Sequence, residues 1–302
     1  MKSIFFVEEN YNGLRVDKFL DEVIEDYTRS QIKKSFDEDQ VFINDKPAKP
    51  SKKVHFKDKI EFNSVEIDTT LVAENIPLDI VYEDDDLAVI NKAQGMTVHP
   101  APGNYTGTLV NALLYRFQQL SNIDDKIRPG IVHRIDKDTA GLLVVAKNNI
   151  SHNNLAEQIQ KKTAKRTYFA LVDGEKIADY GTIDKPIGRD EKDRKKMAVT
   201  SSGKTAKTHF KVIKRYQHYT LVQFDLETGR THQIRVHCKH LGCPIVGDPL
   251  YGKKAQKFAL KGQLLVAKRL VFMHPKTNKK MEFEISLPDY FNNVLDKLTP
   301  LE

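Results

Sequence analysis

The chain has 302 residues and a formal net charge of +7, with 48 lysines and arginines against 41 acidic residues. This length suits one large domain, alone or with a small one, and the basic balance favours a polyanionic partner. No apolar run is long enough to cross a bilayer, so no membrane association is expected. The two cysteines, Cys238 and Cys243, predict a reducing compartment, so the cytoplasm is the expected location.

Residues 1–65 predict a small unit of two helices and short strands. Apolar residues from Val16 to Val23 recur at helical spacing, and a second helix is expected from Thr28, capped by Thr28 or Ser30. Short strands are expected on either side of a lysine-rich segment, residues 46–57.

Lysines form one face of this unit. The second helix turns Ile32 inward and its lysines outward, and residues 46–57 contain lysines but no acid. An ordinary solvated loop has the same composition, whereas the sharper interpretation is a phosphate-binding face. The candidate binding residues on this face are Lys33, Lys34, Lys46 and Lys53.

After a polar linker at residues 66–76, a second domain is expected at residues 77–302. Strands outnumber helices there, and the long spacing of βαβ units is absent. This pattern predicts an α+β fold with a mixed, largely antiparallel sheet and flanking helices. An amphipathic helix is expected from Thr108 to Leu120, with Thr106 or Thr108 as its cap.

One stretch, Arg128–Lys147, joins a charged loop to a strand. Its second half, Leu142–Ala146, is an unbroken apolar run that is typical of a strand buried on both faces. Its first half holds Asp136 beside Arg134 and Lys137, and nearby positive charge favours the ionised carboxylate. Asp136 is therefore a candidate nucleophile or base, although a surface loop of solvated ion pairs has the same residues.

Two further stretches are rich in hydrogen-bond donors or positive charge. Residues Leu226–His237 come directly after a strand, and their donors suit a phosphate or a carboxylate, but also the capped start of an ordinary helix. The basic residues between Lys185 and Arg215 are more typical of a solvated loop than of a binding site. Beside the lysine-rich first unit, they add weight to a polyanionic partner.

Other chemistries find little support in the sequence. The chain has no Walker A or dinucleotide-binding glycine pattern and no Gly-x-Ser-x-Gly turn. Residues 136–147 begin like a calcium loop but lack its later ligands, and His237–Cys243 fits none of the common zinc spacings well. No metal and no cofactor is therefore expected.

Several stretches together resemble the RluA family of RNA pseudouridine synthases, in order and over nearly the whole chain. The similarity lies in Asn91–Pro100, Arg128–Lys147, Thr167–Val172, Thr228–His237 and Gly247–Gly252. The front unit resembles the S4 RNA-binding fold, although Asp39 and Gln40 stand where a glycine usually precedes the first strand. Together these features are closest to the RluD-like branch, which acts on large-subunit ribosomal RNA.

The resemblance implies that residues 77–302 form a catalytic domain that converts uridine in RNA to pseudouridine without a cofactor. It implies that Asp136 is catalytic, that Tyr168 stacks on the target base and that Arg230 pairs with the aspartate. Arg134 and His133, beside the aspartate, are then expected to contact RNA. Attack on the ribose, addition to the base and proton removal all stay open for Asp136.

The expected partner is ribosomal RNA, with transfer RNA as the alternative, and the expected state is a monomer. Two other functions remain open. One is an RNA-binding or ribosome-assembly factor without catalysis, and the other is a hydrolase that releases free uracil.

Overall fold

The computed structural model describes residues 2–24, 27, 29–65, 71–100, 104–123, 128–193, 195–253 and 257–301. The chain forms two compact units, Met1–Thr70 and Leu71–Glu302. Residues 66–70 of the expected linker, and the side chains expected to cap the second helix, lie outside the described residues. Within the described ranges, no helix has the length and apolar character needed to cross a membrane.

The smaller unit combines a sheet with two α-helices. Its described elements are β1 (Lys2–Phe6), a short 3₁₀ helix (Glu9–Tyr11), α1 (Val16–Val23), α2 (Arg29–Asp37), β2 (Val41–Ile43), β3 (Lys46–Pro47) and β4 (Lys59–Asn63). The four strands pair antiparallel in the order β1-β4-β2-β3. The predicted helix from Val16 to Val23 is confirmed, and Val16, Phe19 and Leu20 on its apolar face are buried in the core of this unit.

The turn before β2 forms without the glycine that the resemblance to the S4 RNA-binding fold leads one to expect there. Asp39 adopts a φ of +54°, in the left-handed region. Aspartate tolerates this region better than most residues, because its short polar side chain can hydrogen-bond locally. On the preceding helix, Ile32 is buried and Lys33 is exposed, as predicted.

The larger unit is built on one extended sheet. Its described elements are β5 (Asp79–Glu83), β6 (Leu87–Lys92), α3 (Leu109–Arg116), β7 (Ala140–Ala146), α4 (Asn149–Gln160), β8 (Lys165–Asp173), β9 (Tyr180–Asp184), β10 (Ile187–Arg189), β11 (Met197–Val199), β12 (Lys207–Tyr216), β13 (Tyr219–Leu226), α5 (Gln233–His240), β14 (Leu265–Met273), β15 (Lys280–Glu284) and α6 (Asp289–Leu295). Strands β10 and β11 form a separate two-stranded ribbon.

The main sheet has nine strands in the order β5-β6-β7-β14-β8-β13-β12-β9, with β15 also paired to β14. Among the described pairings, β7 and β14 run parallel and the others in this sheet are antiparallel. The predicted α+β fold with a mixed, largely antiparallel sheet is confirmed.

Strand β7 is buried on both faces, as its apolar run predicts. All of its residues are buried. Leu143 and Val145 belong to one hydrophobic cluster, while Leu142 and Val144 belong to another. The strand is thus held from both sides, which fixes the position of the charged loop that precedes it.

Gly141 allows β7 to approach β14 closely. Its φ is +115°, and a Cβ at this position would lie 2.3 Å from the backbone oxygen of Ala267. Any other residue would combine an unfavourable backbone conformation with a direct clash. The glycine therefore sets the distance between these two strands immediately after the loop that carries Asp136.

Helix α3 begins at the predicted cap. The Thr108 hydroxyl accepts a hydrogen bond from the Asn111 N–H, and the Asn111 side chain accepts one from the Thr108 N–H. This reciprocal capping box satisfies donors at the helix start. The helix ends at Arg116 rather than at the predicted Leu120, because Phe117 takes an extended backbone conformation.

The interpretation of residues 185–215 as mainly a solvated loop is wrong. The region contains β10, β11 and most of β12. In β12, buried Thr208 and Phe210 are followed by exposed Lys211, so polar and basic residues occupy the solvent side of a paired strand. The sequence of β12 does not predict a strand, because only part of one face of the strand is apolar.

Candidate active site

Asp136 lies in the loop before β7, and its side chain is 19% exposed. The Thr139 N–H donates to the Asp136 backbone oxygen at 3.1 Å, which closes a tight turn around the carboxylate. The side chain lines a cavity of about 80 Å³ whose walls also include Tyr168, Arg166 and Arg230. This space is enough for several water-sized groups and hence for a small planar ring.

Arg235 is the charge partner of Asp136. Its Nη1 donates to Asp136 Oδ2 at 2.9 Å, while Nε and Nη2 donate to the two carboxylate oxygens of Asp248 at 2.7 and 2.9 Å. Arg235 is 5% exposed and Asp248 is fully buried. Burial alone would lower the pKa of Arg235, but the hydrogen bonds and charges of Asp248, then Asp136, raise it, so the guanidinium stays charged.

This triad leaves the Asp136 carboxylate available for chemistry. Asp248 holds two of the Arg235 donors and is buried with it, so these two charges compensate each other first. Asp136 receives a single donor and keeps its other oxygen, Oδ1, free of any described side-chain partner. A carboxylate that is oriented by one cation and partly exposed to a cavity suits a nucleophile or a base.

The predicted pairing of Arg230 with Asp136 is corrected by this geometry. Arg230 is exposed, and its Nε donates to the Thr205 backbone oxygen at 3.0 Å. Its backbone N–H is held by Gln233 at the start of α5, whereas Arg235 lies further along that helix, on its buried side. Arg230 still lines the cavity, so a supporting role for it stays a prediction.

Tyr168 lies on β8, where it is paired with Phe224 on one side and Ala267 on the other. It is buried and lines the same cavity as Asp136. Burial raises the pKa of the Tyr168 phenol, while the charge of Arg166 lowers it and that of Asp136 adds to the increase. The neutral phenol ring thus offers a flat apolar surface beside the carboxylate, and its stacking role stays a prediction.

Two side chains outside the predicted set hold the loop that carries Asp136. Buried Lys92 donates from Nζ to the backbone oxygens of Ala93, Met96 and Lys137 at 2.8, 2.8 and 2.9 Å. Gln94 Nε2 donates to the Asp138 oxygen at 3.1 Å. Burial lowers the pKa of Lys92 to about 7, although the charges of Asp138 and Asp136 act against this.

His133 and Arg134, both predicted to contact RNA, have different environments. His133 Nε2 accepts the Val144 N–H at 3.0 Å, and burial, followed by the charge of Arg166, lowers the pKa of His133 to about 3. This neutral, buried imidazole fastens the loop to β7 and is poorly placed for RNA. Arg134 is exposed, with Nη1 3.3 Å from His99 Nε2, and its contact with RNA stays a prediction.

The four candidate lysines lie in the smaller unit. Lys33, Lys46 and Lys53 are exposed and form no ion pair among the described residues. Lys34 is half-buried, and its Nζ lies 3.6 Å from a carboxylate oxygen of Glu38. Their contact with RNA stays a prediction.

The residues considered for a metal are used in other ways. His237 bonds Thr208 through Nδ1 and the Lys185 backbone oxygen through Nε2, and Cys238 and Cys243 are buried thiols. The described residues contain one further cluster of suitable ligands, Asp84, Asp86 and His274.

The hydrogen bonds of His274 leave no ligand atom for a metal. Its Nδ1 accepts the N–H groups of Lys276 and Thr277, so its Nε2 carries the proton that is donated to Asp84. Asp84 also accepts bonds from Tyr82 and two backbone N–H groups. This cluster therefore links two turns rather than holding an ion.

Comparisons with known proteins agree with this site. Residues 86–240 match the family model for RNA pseudouridylate synthase. The chain therefore belongs to the RNA pseudouridine synthases, the isomerases that convert uridine in RNA to pseudouridine.

Its relatives include an uncharacterised RNA pseudouridine synthase, YlyB, of Bacillus subtilis, which is 47% identical over 96% of each chain. Ribosomal large subunit pseudouridine synthase D of Neisseria meningitidis is 43% identical over 95% of this chain and 79% of its own. The solved structure of human RNA pseudouridylate synthase domain containing 1 has a TM-score of 0.61 at 27% identity, over 76% of this chain and 91% of that one.

Proposed function

We propose that this enzyme isomerises uridine in large-subunit ribosomal RNA and that Asp136 is its catalytic carboxylate. The observation that carries the proposal is the Asp136 side chain, which faces a cavity with Tyr168 and is held by Arg235 at 2.9 Å. The ion pair fixes the orientation of the carboxylate toward the cavity, which every route to pseudouridine requires.

The reaction exchanges one bond to the ribose for another. The bond from C1′ to N1 breaks, C1′ joins C5, the hydrogen at C5 leaves as a proton and N1 gains a proton. Asp136 can support this exchange by attacking C1′, by adding to the base or by removing a proton from C2′. In each route the carboxylate meets an electron-poor atom or an acidic proton, as in other enzymes that use carboxylate nucleophiles.

A uridine in structured RNA has to leave its stack before it can reach Asp136. We infer that its base lies against the Tyr168 ring, because this ring forms an apolar wall of the cavity. Tyr168 is buried, and its strand β8 is paired with β13 on one side and β14 on the other, so the ring cannot turn away easily. Tyr168 thus orients the base relative to the carboxylate.

The choice of ribosomal RNA is supported by relatives and by charge. Several relatives at 40 to 43% identity are named ribosomal large subunit pseudouridine synthase D. We infer that the smaller unit is an S4-like RNA-binding module of residues 1–65, since its exposed lysines suit a phosphate backbone. A monomer acting in the cytoplasm is the state that we expect.

The substitution Asp136→Asn tests the proposal, because it keeps the shape of the side chain and removes its charge. Ribosomal RNA transcribed with tritium at C5 of uridine releases the label to water when pseudouridine forms. We expect the variant to lose roughly 10³-fold or more in rate. Its RNA affinity should stay within about threefold, since one cavity residue contributes little to backbone contacts.

A base-resolution pseudouridine map of the same RNA, with and without the enzyme, identifies the target. Turnover of Asp136→Asn near the wild-type rate would reject the carboxylate as catalytic. An unchanged map with tight wild-type binding would favour an RNA-binding factor without catalysis, and free uracil would indicate a hydrolase.

A further inference from the structure

Arg166 is a buried arginine in the wall of the cavity that none of the steps above uses. It lies on β8 two residues before Tyr168, so the two side chains project from the same face of the strand. Arg166 is 8% exposed, and it lines the same cavity as Tyr168 and Asp136.

The guanidinium of Arg166 lacks a bonded partner within the part of the chain that the structure describes. Among the described residues, Arg166 forms no hydrogen bond or ion pair, and its buried Nε has no acceptor. The other three arginines of the cavity differ, because Arg235 is bonded to two carboxylates, Arg230 to a backbone oxygen and Arg134 to the His99 ring. A buried guanidinium that has no bonded acceptor among the described residues is costly, so a site that keeps one suits an anion that arrives with the ligand.

The environment of Arg166 leaves it open to such an anion. Gly229, which is exposed, passes beside the guanidinium, and a Cβ on Gly229 would lie 3.1 Å from Nη1. The neighbouring His133 is neutral, since burial and the Arg166 charge lower its pKa to about 3. The neighbouring acid Asp225 faces Thr167, which points to the other side of β8.

We infer that Arg166 binds a phosphate of the RNA backbone directly beside the target uridine. The inference rests on the proposed function of the cavity. Phosphates are the only anionic groups of RNA, and a guanidinium fork matches their geometry. Alternate residues of a strand are about 6.6 Å apart, so a base against Tyr168 leaves its sugar and phosphate near Arg166.

Binding by Arg166→Gln is compared with binding by Arg166→Lys and by the charge control Arg269→Gln, which removes an exposed arginine paired with Glu282. All are measured on ribosomal RNA in the Asp136→Asn background, so that turnover plays no part. Arg166→Gln should weaken binding about tenfold. The slope of log affinity against log salt should decrease by about 0.7 to 0.9, and Arg166→Lys should restore part of both.

Kinetics on the protein with Asp136 intact separate a phosphate contact from a role at the base. Arg166→Gln should raise KM about tenfold and leave kcat within about threefold. A loss in kcat with unchanged KM would overturn the inference, because it would assign the guanidinium to charge that develops on uracil. Unchanged affinity and salt slope would overturn it as well.

A neutral methylphosphonate in place of a single phosphate identifies the contact. When the altered phosphate is the one that Arg166 contacts, the affinity of the wild-type protein should fall by the same factor as the substitution Arg166→Gln causes on unaltered RNA. The affinity of Arg166→Gln itself should hardly change on the altered RNA. If the effects of the substitution and of the methylphosphonate on binding free energy add fully at every flanking position, the contact is rejected. If the wild-type protein releases no label, the proposed function is rejected instead. The binding measurements still test the phosphate contact in that case.

Gly229→Ala provides a variant that keeps the charge and lies on the surface. Its new Cβ would press on Nη1 at 3.1 Å, so we expect several-fold weaker binding with an unchanged melting temperature. If Arg166→Gln does not fold, Gly229→Ala and Arg166→Lys carry the test. Wild-type affinity in both would then count against the phosphate site.

Discussion

Asp136 and Arg235 are 99 positions apart in sequence, yet their side chains form an ion pair in the wall of the cavity. Arg235 uses its planar fork fully, with three donors on two carboxylates that lie in different loops. Lysine has the same charge but a single ammonium group, which cannot reproduce this geometry. The shape of the guanidinium is therefore as important to the site as its charge.

The substitution Arg235→Lys should lower kcat/KM by roughly 10 to 100-fold, because the ammonium cannot hold Asp136 and Asp248 together. The free energy of unfolding should fall by about 2–4 kcal/mol, since Asp248 is fully buried and loses part of its partner. Steady-state label release and urea unfolding measure the two effects.

Arg269→Lys is the matched control, because Arg269 also bonds a carboxylate through two nitrogens but lies in an exposed pair with Glu282. It should change the free energy of unfolding by less than about 1 kcal/mol. Equal losses in the two variants would mean that burial of the Arg235 triad contributes nothing.

The sequence alone could find the motif that holds Arg235 but not the arginine that pairs with Asp136. Arg230 and Arg235 belong to the same donor-rich stretch, and a guanidinium at either position suits a carboxylate. The choice depends on where α5 begins, and His232, which precedes it, takes a left-handed φ of +57° that no pattern predicts. The role of Lys92 was not predictable for a related reason, since its three acceptors are backbone oxygens that only the fold brings together.

At the scale of elements, β7 connects the cavity to the core. Its residues divide between two hydrophobic clusters, and the loop that carries Asp136 immediately precedes it. The strand was predictable because a run buried on both faces leaves a continuous apolar sequence. Strands β9 and β12 were not predictable in the same way, because they lie toward the edge of the sheet and only some of their residues are buried.

Gly141→Ala should destabilise the larger unit by several kcal/mol, because the new Cβ would lie 2.3 Å from the Ala267 oxygen on β14. The strands would have to separate immediately after the loop that carries Asp136, so label release should fall at temperatures where the protein stays folded. Urea unfolding and activity at low temperature measure the two effects.

Gly242→Ala isolates the clash from the backbone strain. Gly242 also has a positive φ, +74°, but no atom lies within 4 Å of its added Cβ. Its substitution should cost only about 1 kcal/mol and leave activity unchanged. Similar losses in both variants would show that strain alone explains the requirement for Gly141.

At the scale of the whole molecule, the residues of the candidate active site and the exposed lysines of the smaller unit belong to different units of the chain. The carboxylate, its arginine and the tyrosine all belong to residues 71–302, whereas Lys33, Lys46 and Lys53 belong to residues 1–70. A contact with a phosphate outside the reacting nucleotide adds affinity without acting on the reacting base. Removing these lysines should therefore change KM and leave kcat unchanged.

The double substitution of Lys46 and Lys53 to Gln tests this division. Both lysines are exposed and form no ion pair among the described residues, so each is available for a phosphate. We expect KM to rise about three- to tenfold, kcat to stay unchanged and the salt slope of binding to fall by up to about 0.7–0.9 for each lysine that contacts RNA. The matched control substitutes Lys2 and Lys59, which already pair with Glu61 and Asp45 at 2.6 and 2.8 Å. It removes the same charge from the same unit, so an equal loss of affinity in the control would mean that total charge, rather than the lysine face, binds the RNA.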